Sequence, residues 1–405
     1  MAQHLGKDPL DVRKANLYGV SGHQTPYGQT VTDAIALELM EDLERSCDYR
    51  ARRAAIAAWN ADSPWLKRGL ALTPVKFGIA FTTRHLNQAG ALVHLYADGS
   101  IHLNHGGTEM GQGLMIKVAQ VVADEFQVPL STVKISATRT DKVPNTSATA
   151  ASSGADLNGM AALNAARTIK DRLVAFAAEH FGRPADQVEF AAAGVRIGDV
   201  EMSFAELVKL AWLDRVSLSA TGFYRTPEIH YDRASHQGRP FYYYAYGAAA
   251  SEVVIDTLTG ENKVTRVDIL HDVGRSLNPA IDAGQIEGGF IQGMGWLTTE
   301  ELVFDAQGRL ATHAPSTYKI PTAGDRPEIF NLRIRDGENR EPTIHRSKAV
   351  GEPPLMLAIS VFSALTDAVA SVGGHRVMPN LDAPATPERI LFAVEDVRRR
   401  AGPHV

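Results

Sequence analysis

An α+β fold, with mixed sheets and packed helices, is predicted for this 405-residue chain, and three observations carry that prediction. Strand-like and helix-like segments are interleaved along most of the chain; glycine-bearing turns separate the strand pairs; and a 44% hydrophobic content is enough to fill a sizeable core. No fixed sequence period, low-complexity tract or linker interrupts the chain after residue 68, so residues 67–405 are expected to form one unit behind a helical tail at 1–66.

In the tail, Asp8-Pro9-Leu10 opens one turn, Thr32 is the expected N-cap of a helix over 33–43, and an Ala/Arg-rich helix covers 49–59. After Asp62-Ser63-Pro64 the pattern turns to strands at 69–81, 91–96 and 101–105, the last two joined at Asp98-Gly99. A glycine-rich loop leads to a helix over 114–126. A strand over 133–137, a polar loop over 139–154 and a long helix over 156–180 follow. A second sheet region pairs 253–256 with 264–270 across Thr259-Gly260, then a Gly-rich helix spans 282–299 and a hairpin turns at 306–308. The apolar run 355–372 is interrupted by Ser360, Ser363, Thr366 and Asp367 and reads as a buried core helix rather than a membrane span.

Charge and cysteine content exclude several functions. A formal net charge of -5 offers no basic excess for a nucleic-acid partner. Cys47 is the only cysteine, so the chain can form neither an intrachain disulfide nor a four-cysteine iron–sulfur site. No HExxH occurs, and His102 and His105 fall on opposite faces of a strand, which makes a zinc hydrolase a poor fit and leaves no metal-ligand set to name. The first seventeen residues are charged and lack an apolar core, from which a cytoplasmic location is expected.

Four segments are candidates for chemistry. In His105-Gly106-Gly107-Thr108-Glu109-Met110-Gly111-Gln112-Gly113 a strand ends in glycines before a helix, so backbone N–H groups can approach an anion or a flat cofactor; a turn built for packing is the alternative. The run 145–154, Asn-Thr-Ser-Ala-Thr-Ala-Ala-Ser-Ser-Gly, exposes backbone donors and the Ser152 and Ser153 hydroxyls, or else is a solvated loop. Lys348-Ala349-Val350-Gly351-Glu352-Pro353-Pro354 sets one carboxylate at the start of an apolar helix; burial there would raise its pKa and the helix N-terminus would oppose that. Glycines 284, 288, 289, 293 and 295 each cost a helix about 1 kcal/mol against alanine, so something approaches that face closely, a neighbouring helix or a ligand. Gln285 on it could donate to an anionic ligand.

Together these segments resemble the molybdenum-cofactor subunit of the xanthine dehydrogenase and aldehyde oxidase family, through residues 107–113, 149–152, 284–285 and 348–354. Connecting stretches agree, among them Ser276-Leu277-Asn278-Pro279-Ala280-Ile281-Asp282 and Pro315-Ser316-Thr317-Tyr318-Lys319-Ile320-Pro321, so the resemblance covers essentially the whole chain. It implies the second molybdopterin-binding domain of such an enzyme, with residues 1–66 continuing an upstream half. It implies that Gly111, Gln112, Gly113, Ser152, Ser153, Gly154 and Gln285 hold a molybdenum–molybdopterin cofactor, and that Ala150 and Ala151 line the substrate pocket with Phe81, at the purine-stacking position, and Thr82. Glu352 would be the general base in the oxidation of hypoxanthine or xanthine to uric acid, with water as the oxygen source. Iron–sulfur 2Fe-2S clusters, FAD and the NAD acceptor are expected on partner chains or segments. An aldehyde or another N-heterocycle as substrate is the alternative within the family, and a non-catalytic scaffold chain is the alternative outside it. Gly154 stands where relatives often carry a hydroxyl, and Thr83 and His85 replace more apolar residues near the pocket.

Overall fold

Two four-stranded sheets, each backed by helices, organise the chain in a computed structural model that describes residues 1–19, 23–143, 145–192 and 194–402. The first sheet runs in the order Ser219–Arg225, Gln88–Leu95, Ile101–His105, Val133–Ile135. Its central pair is the predicted hairpin, antiparallel from Ala91 opposite His105 to Leu95 opposite Ile101. Gly99 makes the turn at φ +83, and the Asp98 carboxylate accepts the Ser100 N–H at 2.9 Å. Helices Leu114–Phe126 and Gly154–Phe181 cover one face, where Val93, Leu103, Val122 and Ile169 form a fully buried core.

The second sheet runs Ile329–Ile334, Asn262–His271, Tyr243–Asp256, Leu66–Ile79. Helices Pro279–Thr298, Ile359–Ser371 and Pro387–Ala401 lie on one face, packing Phe290, Leu365 and Val394 against Val253 and Val267. Helices Ala36–Ser46 and Tyr49–Asp62 lie on the other, packing Leu39, Met40 and Tyr49 against Leu70, Leu72 and Tyr246. The segment 1–66 is thus helical over most of its length and covers a sheet face. Covering both faces explains why Tyr243–Asp256 is readable only in part: its first ten residues are Tyr-, Ala- and Gly-rich, without the alternation of a half-exposed strand.

One packing device occurs in both layers. A Cβ on Gly222 would stand 2.0 Å from the Ala161 carbonyl oxygen and 2.6 Å from the Ala165 nitrogen. A Cβ on Gly69 would meet Ala364 and Ala368 at the same 2.0 and 2.6 Å. Each edge strand therefore lets a helix backbone rest directly on it, at a position where only glycine fits.

Several boundaries differ from expectation. Thr32 does not cap a helix; the helix begins at Ala36 behind Ile35, because Asp33 is drawn into a buried ion pair with Lys348. The first long strand ends at Ile79, leaving Phe81 in a loop whose N–H and carbonyl are both bound by the Asn87 side chain at 2.8 Å. The hairpin at 306–308 reduces to one bridge between Phe304 and Leu310. The apolar run after Glu352 divides into Pro353–Leu357 and Ile359–Ser371. This segment is long and apolar enough to cross a membrane by composition, yet Ser360 and Asp367 have partners within the fold. Ser360 meets Ser251 at 2.7 Å, and Asp367 accepts from Arg53 at 2.7 Å and the Leu70 N–H at 3.1 Å. Of the five glycines in the helix Pro279–Thr298, 289 and 293 meet Pro354 and the Leu355 carbonyl and 295 meets Glu300, whereas Gly284 and Gly288 face open space.

Gly222→Ala and Gly69→Ala are expected to lower stability by about 1–3 kcal/mol or more, because backbone atoms cannot yield. Thermal melting checks this, and an unchanged Tm for both variants contradicts the packing described.

Candidate functional site

Where the two layers meet, a cavity of about 330 Å³ is lined from four directions. Met110 and Gln112 come from the glycine loop, Thr149, Ala150, Ser152 and Gly154 from the small-residue turn, Asp282 and Gln285 from the helix Pro279–Thr298, and 347–352 from the segment before the two prolines. Asp156 and Lys117 line it from the helices of the first layer.

The glycine loop is organised around its own carboxylate. Glu109 accepts N–H bonds from Gly111, Gly113 and Met115, each at 2.9 Å. Burial pushes its pKa up, but these amides outweigh burial and hold it below the usual value. The cradle foreseen for an external anion is therefore filled from within the loop. Gln112 also turns inward, accepting from Met110 and donating to the Thr108 carbonyl at 2.8 Å.

The small-residue turn carries two consecutive left-handed residues, Ala151 at φ 55 and Ser152 at φ 54. For residues with a Cβ this costs about 1–2 kcal/mol each, and a two-way contact holds it in place. The Ser152 hydroxyl donates to the Glu352 carboxylate at 2.9 Å and accepts the Glu352 N–H at 2.8 Å. Gly351 eases the close approach of the two segments, since a Cβ there would stand 3.2 Å from the Ser152 oxygen. Ser153 is buried, and its hydroxyl donates back to the Ala150 carbonyl at 3.3 Å.

Glu352 precedes a helix whose first two residues are the buried prolines 353 and 354. Contrary to the expected low-dielectric setting, Glu352 is exposed in this chain. Its second carboxylate oxygen makes no hydrogen bond among the described residues. Behind it the loop is anchored by Lys348, whose ammonium lies 2.8 Å from Asp272, 3.2 Å from Asp33 and 3.1 Å from the Tyr244 carbonyl. Burial raises the Asp33 pKa and Lys348 opposes that.

One ion pair and one buried carboxylate–phenol hydrogen bond are not foreseen from the sequence. Lys117, inside an apolar helix, pairs with the buried Asp282 and so joins the two layers. Asp156, also buried, accepts from the Tyr243 hydroxyl at 2.7 Å; burial raises its pKa to about 7 against the lowering effects of Tyr243 and Lys117. A lysine or aspartate on the apolar side of an amphipathic helix was the available signal. Of the residues named from the sequence, Glu352, Ser152, Ala150, Gly154, Gln112 and Gln285 line the cavity. Gly111, Gly113, Ala151 and Ser153 shape its loops without lining it, and Phe81 and Thr82 lie outside it.

The chain belongs to the molybdopterin cofactor-binding domain family, whose profile matches residues 42–327. Over 98% of its length it is 46% identical to xanthine dehydrogenase/oxidase of Gallus gallus and 45% identical to xanthine dehydrogenase of Oryza sativa subsp. japonica, and it spans 28% of the length of each. Among solved structures, quinoline 2-oxidoreductase from Pseudomonas putida 86 superposes with a TM-score of 0.83 at 26% identity, over 98% of this chain and 50% of that one. The Cu,Mo-CO dehydrogenase shares the fold, with a TM-score of 0.84 at 22% identity over 98% of this chain and 50% of that one.

Lys348→Met is expected to destabilise the protein by about 3–5 kcal/mol, since Asp33 and Asp272 lose their buried cation. A carboxyl with a raised folded pKa costs stability above that pKa and not below its unfolded value, so the deficit should shrink on acidification. Melting curves against pH test this; a deficit independent of pH contradicts it.

Proposed function

We propose that this chain forms one wall of the active site of a molybdenum hydroxylase, with Glu352 as the general base and the other wall supplied by residues outside the chain. The observation that carries the reading is the Glu352 carboxylate, clamped by Ser152 at the rim of the shared cavity with one oxygen unengaged. A proton acceptor must be fixed in direction and open to the substrate side, and this arrangement provides both.

The cavity fits a molybdopterin in its donor chemistry. Gln285 lines it with no side-chain hydrogen bond among the described residues, so its amide is available to a ligand. No cluster of His, Cys, Asp or Glu suited to a metal occurs among the described residues. Gln285 would hold the cofactor, with Gln112, whose amide is already bonded within its own loop, and Ser152 and Gly154 beside it. When bound, the cofactor supplies the two-electron redox chemistry that lets water-derived oxygen enter an electron-poor carbon. The chain's own part is to take the proton at Glu352, keep that carboxylate oriented through Ser152, and leave room for a flat substrate over Ala150.

Hypoxanthine and xanthine are the proposed substrates, with uric acid as the product, on the strength of the relatives' identity rather than of Phe81 and Thr82. Electrons would leave through iron–sulfur clusters and a flavin on partner chains or segments, and reach NAD from there. A second reading, oxidation of another N-heterocycle, is favoured by the likeness to quinoline 2-oxidoreductase. Steady-state assays with xanthine, hypoxanthine, quinoline and an aldehyde separate the two.

Glu352→Gln in the assembled enzyme is expected to leave the molybdenum content unchanged and to lower kcat by at least about 10²-fold. Retention of a substantial part of kcat at full molybdenum loading overturns the assignment of the base.

A further inference from the structure

We propose that Tyr243 is a positioning residue for Glu352: its hydroxyl, directed by Asp156, grips the Ala349 amide and so fixes the loop that presents the carboxylate to the cavity. This rests on the reading of Glu352 as the base. The Tyr243 hydroxyl makes two bonds, donating to the Asp156 carboxylate at 2.7 Å and accepting the Ala349 N–H at 2.8 Å. Tyr243, Asp156 and Ala349 are all buried, Asp156 and Ala349 at the cavity wall, so these bonds are largely shielded from bulk solvent. Asp156 belongs to the helix that starts just behind the Ser152 turn, and Ala349 belongs to the loop that ends at Glu352. One phenol thus ties together the two segments whose ends meet in the Ser152–Glu352 contact. Packing alone would be served as well by a phenylalanine.

The direction of the bridge depends on Asp156. Among the described residues no cation pairs with this carboxylate; Lys117 is engaged by Asp282. An ionised Asp156 can only accept, so Tyr243 must donate to it and turn a lone pair toward the Ala349 N–H. A protonated Asp156 can donate to the phenol instead, and the Tyr243 O–H is then free to turn. Burial raises the Asp156 pKa to about 7, so the two arrangements exchange near neutrality. The groups facing Asp156 are Tyr243 from the central strand, Lys117 from the helix Leu114–Phe126, and, at longer range, Tyr224 and Tyr242.

The test uses the complete enzyme with its partner polypeptides and cofactor, assayed with xanthine across pH. Tyr243→Phe should lower kcat about tenfold to a hundredfold, with KM and molybdenum content close to the parent's. Asp156→Asn keeps a carbonyl acceptor for the phenol; it should retain most of the kcat at high pH and lose the inflection that the ionisation of Asp156 is expected to give the parent near pH 7. Should Tyr243→Phe fail to fold, Asp156→Ala, which leaves the ring in place, is expected to show the same selective loss of kcat. Parent-like kcat in Tyr243→Phe, or in Asp156→Ala where the first variant does not fold, overturns the proposal, as does an unchanged pH profile in Asp156→Asn. Glu352→Gln measured alongside separates the two claims: an active Glu352→Gln removes the base itself, whereas an inactive one beside a fully active Tyr243→Phe removes only the bridge.

Discussion

A single buried ammonium decides where Glu352 sits. Lys348 draws together Asp33 from the N-terminal helical segment, Asp272 from the end of a central strand and the Tyr244 carbonyl from its neighbour. Desolvating a lysine is costly unless its donors are met, and here three acceptors meet them. With that end fixed, only three residues lie between Lys348 and Glu352. The carboxylate position therefore follows from an ion cluster on the far side of the loop rather than from the helix that it precedes.

Both layers contribute to that position. The first presents a strained turn at Ala151 and Ser152, the second the loop ending at Glu352, and the contact between them stabilises each. The Lys117–Asp282 pair and the seating of Ile281 over Gly113 close the same seam from another side. The cavity is thus bounded by elements that cannot shift independently, as preorganisation requires. Glu352 itself remains exposed, and the chain spans just over a quarter of the length of its curated relatives.

Much of the fold was legible because local signals and tertiary context agreed. The Asp98-Gly99 hairpin, the helix Leu114–Phe126 and the Gly-rich helix Pro279–Thr298 follow from turn chemistry and periodicity. Disagreement arose where distant partners competed with local preference. Asp33 left its expected helix for Lys348, and Glu109 occupied the amides foreseen for a ligand. The early part of Tyr243–Asp256 lacked alternation because both its faces are covered. Of the cavity lining, Gln112, Ser152, Gln285 and Glu352 lie in motifs that the sequence singles out, whereas the bond between Tyr243 and Asp156 joins positions 87 residues apart and leaves no local pattern.

The most direct test of the central claim is anomalous scattering at the molybdenum edge from crystals of the native assembled protein. One molybdenum peak per chain is expected, in the cavity bounded by Gln112, Ser152, Gln285 and Glu352, on the side of the unengaged Glu352 oxygen. A peak elsewhere, or well-ordered native crystals without molybdenum, would contradict it.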